Sequence, residues 1–196
     1  MRLRKRFCRS PTRIGFCVLW MAVLCDWEII ARCRKSKMVV PFDEDEGLVN
    51  PASLDVLLGD HLMVESIYSP ELVRVDISHR TEDDPFMLHP GEVCLAETRE
   101  SFNLPTDLSA QFVLKSSRAR SFYGHMLAGW CDPGWHRSKL TLELKNERLH
   151  HALPLFPGLK IGQMVFHMMS EVPMKHYGLE GVGHYNNHVT VMPSVA

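Results

Sequence analysis

Three observations predict a mainly β chain with one short helix near its start. From Leu48 onward, short apolar runs recur between Pro, Gly, Asp and Ser, and several alternate apolar and polar residues with period two. Turn chemistry precedes three of these runs, at His89-Pro90-Gly91, Asp132-Pro133-Gly134 and Phe156-Pro157-Gly158. Few stretches after Arg34 carry helical periodicity, which points to an all-β barrel or sandwich.

The helix comes first, in DWEIIARCR (26–34), where Asp26 is placed to cap it and Ile29, Ile30 and Cys33 fall on one face. Strands are then expected in SLDVLLG (53–59), LVRVDI (72–77), EVCLAETRESF (92–102), AQFVLKS (110–116), KLTLELKN (139–146) and IGQMVFHMM (161–169). In KLTLELK, the residues Leu140, Leu142 and Leu144 form the apolar face, so Thr141, Glu143 and Lys145 point the other way. The sequence has no internal repeat and no low-complexity tract.

At 196 residues and 45% apolar content the chain can bury a real core, and one domain is expected. The formal net charge of −1 gives no reason to expect a nucleic-acid or membrane partner. That balance hides an asymmetry. Residues 1–37 hold ten of the 22 Lys and Arg residues against only Asp26 and Glu28.

Residues 1–25 imitate a secretory signal, with a basic start and an apolar run from Ile14 to Cys25 broken only by Gly15. Against export, no Ala-x-Ala site follows, Leu24 is too large for a lipoprotein site before Cys25, and the run is too short to span a bilayer. The expectation is a domain over 21–196, with 1–20 a disordered extension or an upstream start. Cys8, Cys17, Cys25, Cys33, Cys94 and Cys131 follow no disulfide framework or C-x-x-C spacing, and are expected as reduced thiols of a cytoplasmic protein. Eleven histidines invite a metal reading. No H-x-E or P-C-x-x-C pattern accompanies them and His150-His151 falls in a loop, so no protein-ligated zinc is expected.

Chemistry concentrates in three places. KSSRAR (115–120) places Lys115, Arg118 and Arg120 with two hydroxyls, a set suited to the oxygens of a phosphate chain, although a solvated strand end with surface charges has the same composition. Glu143 is an ordinary water-facing strand residue unless a neighbouring subunit covers it. Burial would then raise its pKa and make it a general base. Asp132, in its Pro-Gly turn beside Gly129 and Trp130, could bind a sugar hydroxyl. Tyr177 and GHYNNH (183–188) read either as a frayed terminus or as a flap that orders over a ligand.

Taken in order, LCDWEI, NPASLDVLLG (50–59), HPGEVCLAET (89–98), KSSRAR, HMLAGWCDPGW (125–135), LTLELKN (140–146), PGLKIGQMVF (157–166) and a weaker HYGLEGVGHYNN (176–187) resemble the dCTP deaminase branch of the dUTPase-like family. The resemblance runs from about Met21 to the C-terminus. It implies a distorted jelly-roll-like β-barrel assembled as a homotrimer, with nucleotide bound between subunits.

By position, Lys115, Ser116, Ser117, Arg118, Ala119 and Arg120 would line the site. Lys115, Ser116, Ser117 and Arg120 would meet the triphosphate or fix the catalytic water. Ala128 and Asp132 would lie by the base and deoxyribose, and Leu142 and Glu143 would face the pyrimidine. Tyr177 would close over the phosphates, where His184 and His188 stand in place of the usual lysine and glutamine. Glu143 would act as general base with Ser116 and Arg120 holding water, and Mg2+ would arrive on the triphosphate with its own waters.

The sequence also departs from the family pattern in a shorter link from Arg120 to His125, a longer hairpin between Asp132 and Glu143, and Leu127 where threonine is usual. The implied reaction is deamination of dCTP to dUTP. The alternative is a pyrophosphatase acting on dUTP or dCTP, or a bifunctional deaminase and pyrophosphatase giving dUMP. A nucleotide-binding regulator with a dead site is a third reading, opposed by the joint presence of Ser116, Arg120 and Glu143.

Overall fold

The structure is a computed structural model and describes residues 22–194. The expected extension at 1–20, the domain start at Met21, and Cys8 and Cys17 lie outside the described residues. Helix α1 spans Asp26–Ser36. After it come β1 (Val39–Val40), β2 (Val49–Asn50), β3 (Ser53–Ser66), β4 (Ser69–Asp76), β5 (Phe86–Leu88), β6 (Val93–Asn103) and β7 (Leu108–Leu114). Then follow helix α2 (Ser116–Arg120), β8 (Tyr123–His125), β9 (Trp130–Cys131), β10 (His136–Asn146), β11 (Leu153–Leu155) and β12 (Lys160–Met168).

The main sheet runs β8-β10-β6-β3-β12-β7-β9, with β1 beside β6 and both β2 and β4 beside β3. Its two halves share β3. The start of β3 pairs with β12, while the rest pairs with β6 and β4, and the register slips between Leu58 and Leu62 where the strand passes from one half to the other. Gly59 lies at this bend, and a Cβ there would come within 2.7 Å of Glu97 Cγ. The sheet therefore curls into a distorted β-barrel around Leu54, Leu58, Leu62, Phe102, Leu142 and Phe166, all fully buried.

The six expected strands are present with shifted ends, and β3 runs seven residues past the expected Gly59. All three Pro-Gly turns close as expected, with positive φ at Gly91, Gly134 and Gly158. Two local expectations are corrected. Cys25, not Asp26, is the helix N-cap, and the Glu28 carboxylate reaches back to accept from the Cys25 N–H at 3.0 Å. The strand expected over 110–116 stops at Leu114, because KSSRAR turns into α2.

Candidate functional site

Period-two alternation on β10 decides which side chains meet. Leu140, Leu142 and Leu144 enter the core, while Lys139, Thr141 and Glu143 share the other face. That face forms a wall of a cavity of about 510 Å³, completed by Ala128, Trp130 and Asp132 and by Tyr177, Tyr185, His188 and Met192 of the C-terminal segment. The size and mixed aromatic and polar lining suit a nucleotide-sized ligand.

Glu143 is withdrawn from water by its own chain, with its side chain 24% exposed. This desolvation raises its carboxyl pKa, so covering it does not require a second subunit. Its Oε2 lies 3.3 Å from His125 Nε2. The tautomer of His125 follows from its other nitrogen, because Nδ1 accepts the Leu127 N–H at 3.2 Å. The ring proton is therefore on Nε2, yet it makes no hydrogen bond: that nitrogen and Glu143 Oε2 are both buried without a hydrogen-bond partner. Burial lowers the His125 pKa, which keeps this neutral tautomer favoured. Leu127 itself has positive φ and is 92% exposed, so the residue at the usual threonine position is open to solvent.

Asp132 accepts from Trp130 Nε1 at 3.2 Å, which fixes the indole against the cavity mouth. At Gly129 the backbone of Phe112 approaches closely, and its carbonyl would meet a Cβ at 2.7 Å. The C-terminal segment is docked rather than frayed. His136 N–H donates to Asn186 Oδ1 (2.9 Å), Trp135 Nε1 to the Tyr185 carbonyl (2.9 Å), and Tyr177 N–H to the Pro133 carbonyl (2.8 Å).

Of the residues singled out from the sequence, the fold gathers Ala128, Asp132, Glu143, Tyr177 and His188 around one cavity. It separates the rest from it. Leu142 is fully buried, with its side chain in the core. His184 is exposed and outside the cavity lining. Lys115, Ser116, Ser117, Arg118, Ala119 and Arg120 lie at the end of β7 and on α2, also outside that lining. Lys115 is ion-paired to the buried Asp55, and Arg118 Nε donates to the Lys160 carbonyl at 3.0 Å. Ser116, Ser117, Ala119 and Arg120 are exposed.

Sequence reasoning missed Lys139 and Thr141, although their parity with Glu143 was legible. It also missed His125 and Met192, for which only tertiary contacts give a signal, while Tyr185 falls within the GHYNNH stretch read as a flap or a frayed end. Among the described residues no group of three His, Cys, Asp or Glu side chains is arranged to hold a metal ion, and no helix is long and apolar enough to cross a membrane. Cys25, Cys33, Cys94 and Cys131 are free thiols, and burial pushes Cys33 and Cys94 up to about 12.

Fold and site together define a curled β-barrel whose cavity withdraws a carboxylate from water. The family profile described as dCTP deaminase-like matches residues 23–169, and the chain belongs to that family. A Streptomyces coelicolor protein named "dCTP deaminase, dUMP-forming" is 36% identical over 173 residues, covering 82% of this chain and 87% of the relative. A Methanopyrus kandleri protein of the same name is 35% identical over 190 residues, covering 89% and 95%. Among solved structures, the 2'-deoxycytidine 5'-triphosphate deaminase from Agrobacterium tumefaciens superposes with a TM-score of 0.63 at 24% identity. That match covers 76% of this chain but 49% of the other, and it speaks for the fold.

Proposed function

We propose that this chain deaminates dCTP and carries the product on to dUMP, releasing ammonia and pyrophosphate. The observation that carries the reading is Glu143: a carboxylate in a nucleotide-sized cavity, desolvated enough to raise its pKa and without a hydrogen-bond partner on Oε2. The relatives named dUMP-forming favour the second step over release of dUTP.

In the deamination step, Glu143 takes a proton from water and the hydroxide adds to C4 of the pyrimidine. Collapse of the tetrahedral centre breaks the C4–N4 bond, and ammonia leaves with the proton returned from Glu143. His125 Nε2–H, buried 3.3 Å from the carboxylate and without a partner of its own, is placed to donate to it as the site fills. In the second step, water attacks the α-phosphorus, the bond to the α,β-bridging oxygen breaks and pyrophosphate departs. Asp132 is available to orient that water. General base catalysis supplies a factor of roughly 10²–10⁴, so positioning and exclusion of water supply the remainder. Mg2+ would arrive bound to the triphosphate and would supply charge neutralisation there.

The cations and hydroxyls of α2 lie outside the cavity of their own chain. A site that uses both α2 and Glu143 would be built between two copies, in keeping with the homotrimer the family resemblance implies, with Ser116, Ser117 and Arg120 meeting the triphosphate of a neighbour's site. Lys115 is held by Asp55, so its part is to fix the start of α2.

Purified protein incubated with dCTP and magnesium tests the reading. Ammonia and pyrophosphate in equal amounts with dUMP are expected. Ammonia with dUTP accumulating would reduce the function to deamination alone, and pyrophosphate with dCMP would overturn the deaminase. Glu143→Gln is expected to bind nucleotide and release no ammonia; normal turnover in that variant would remove Glu143 from the chemistry.

A further inference from the structure

Glu97 on β6 is a fully buried carboxylate that ties four distant parts of the chain together. Its Oε1 accepts from Lys139 Nζ of β10 at 2.6 Å and lies 3.2 Å from His61 Nδ1 of β3. Its Oε2 accepts from the Thr190 hydroxyl at 2.8 Å and from the Val191 N–H at 2.7 Å. Thr190 can donate in that direction because its own oxygen accepts from an Arg74 guanidinium N–H at 2.6 Å. Burial alone would raise the Glu97 pKa, but the donors from Lys139, Thr190, Val191 and His61 outweigh it and hold the carboxyl below its usual range.

The two donors at Oε2 belong to the C-terminal segment, and the adjoining residues reach the cavity. Tyr185, His188 and Met192 line it, and so does Lys139, the cation on the other oxygen. The same segment accepts the Lys139 N–H at the His188 carbonyl (2.8 Å) and donates from Met192 N–H to the Thr141 hydroxyl (3.4 Å). Lys139 and Thr141 share their face of β10 with Glu143. A buried carboxylate that loses two of its donors is left partly unpaired, so burial of Glu97 and docking of the segment are coupled.

We propose that Glu97 is a positioning residue: it clamps the segment around Thr190 and Val191 onto β6 and β10, so that Tyr185, His188 and Met192 complete the wall of the cavity that holds Glu143. The role in substrate binding rests on the proposed reading of that cavity as the nucleotide site. Neither Glu97 nor Thr190 lines the cavity, so their substitution acts through the clamp.

Hydrogen exchange measured by mass spectrometry, together with steady-state kinetics on dCTP, tests this on Glu97→Gln, Thr190→Val and Thr190→Ser. In Glu97→Gln and Thr190→Val, amides in 186–194 are expected to exchange about 10-fold to 100-fold faster, while those of β7 keep wild-type protection. KM for dCTP should rise on the order of 10-fold with kcat within about 2-fold. Thr190→Ser, which keeps the hydroxyl, should behave as wild type. Unchanged exchange at the C-terminal segment overturns the proposal, and so does a released segment with unchanged KM. Faster exchange everywhere would mean that Glu97 serves global stability only, and Thr190→Val guards against a Glu97 variant that fails to fold. If the wild type does not consume dCTP, the proposed function fails on its own and the exchange pattern alone decides the role of Glu97.

Discussion

At Glu143, withdrawal from water is what raises the carboxyl pKa. A base works only when ionised, so kcat/KM for dCTP should rise with pH through a value above the ordinary glutamate pKa of 4.5. A profile already flat below 4.5 would separate Glu143 from the chemistry. The same shift opposes stability. The folded protein holds the Glu143 proton more tightly than the unfolded chain, so the stabilisation present below the unfolded value is lost as pH rises through the raised one. His125 runs the other way: its pKa is lowered from 6.5, so its contribution is present above that value and lost as pH falls through the depressed one. Protonated His125 would also carry a hydrogen on Nδ1 and lose the Leu127 N–H bond.

Among the elements, α1 shows how a short helix is fixed by packing more than by propensity. Its first turn is closed by the Glu28 carboxylate, and Ile29 and Cys33 anchor it to the core. Ile29→Ala removes a fully buried side chain and should lower unfolding stability by about 2–5 kcal/mol, read from urea denaturation. A loss within error would mean that the helix is not anchored through Ile29. On β10, parity alone made Glu143 legible as the residue facing away from the leucines, and the same rule covered Lys139 and Thr141. The strand expected over 110–116 runs into KSSRAR because composition there reports only charge and hydroxyls. It does not report where β7 releases its last pairing with β12, at Leu114. Asp26 was misjudged as the cap because sequence favours Asp there, while the Glu28 carboxylate met the Cys25 N–H instead.

For the whole molecule, the separation of α2 from the cavity leads to an assembly test. The 22.5 kDa chain is expected to run as a trimer in light scattering, and Glu143→Gln and Arg120→Ala are each expected to be inactive. Because a complete site would take Glu143 from one copy and Arg120 from another, co-assembling the two variants should restore roughly a quarter of wild-type activity, the chance that both intact residues meet. No recovery in confirmed mixed assemblies would put both residues in one chain's site.

The sequence by itself determined the β architecture, the three Pro-Gly turns, the two faces of β10 and the family, because each rests on local dihedral preference, period-two alternation or motif order. The tertiary structure alone decided which polar groups share a cavity. The Glu143 pKa shift, the His125 tautomer, the docking of Tyr185 and His188, and the burial of Glu97 against Lys139 and Thr190 all depend on segments far apart in the chain. Desolvation and hydrogen-bond partners are properties of the space around a side chain, and that space exists only once the sheet has curled and the C-terminal segment has closed on it.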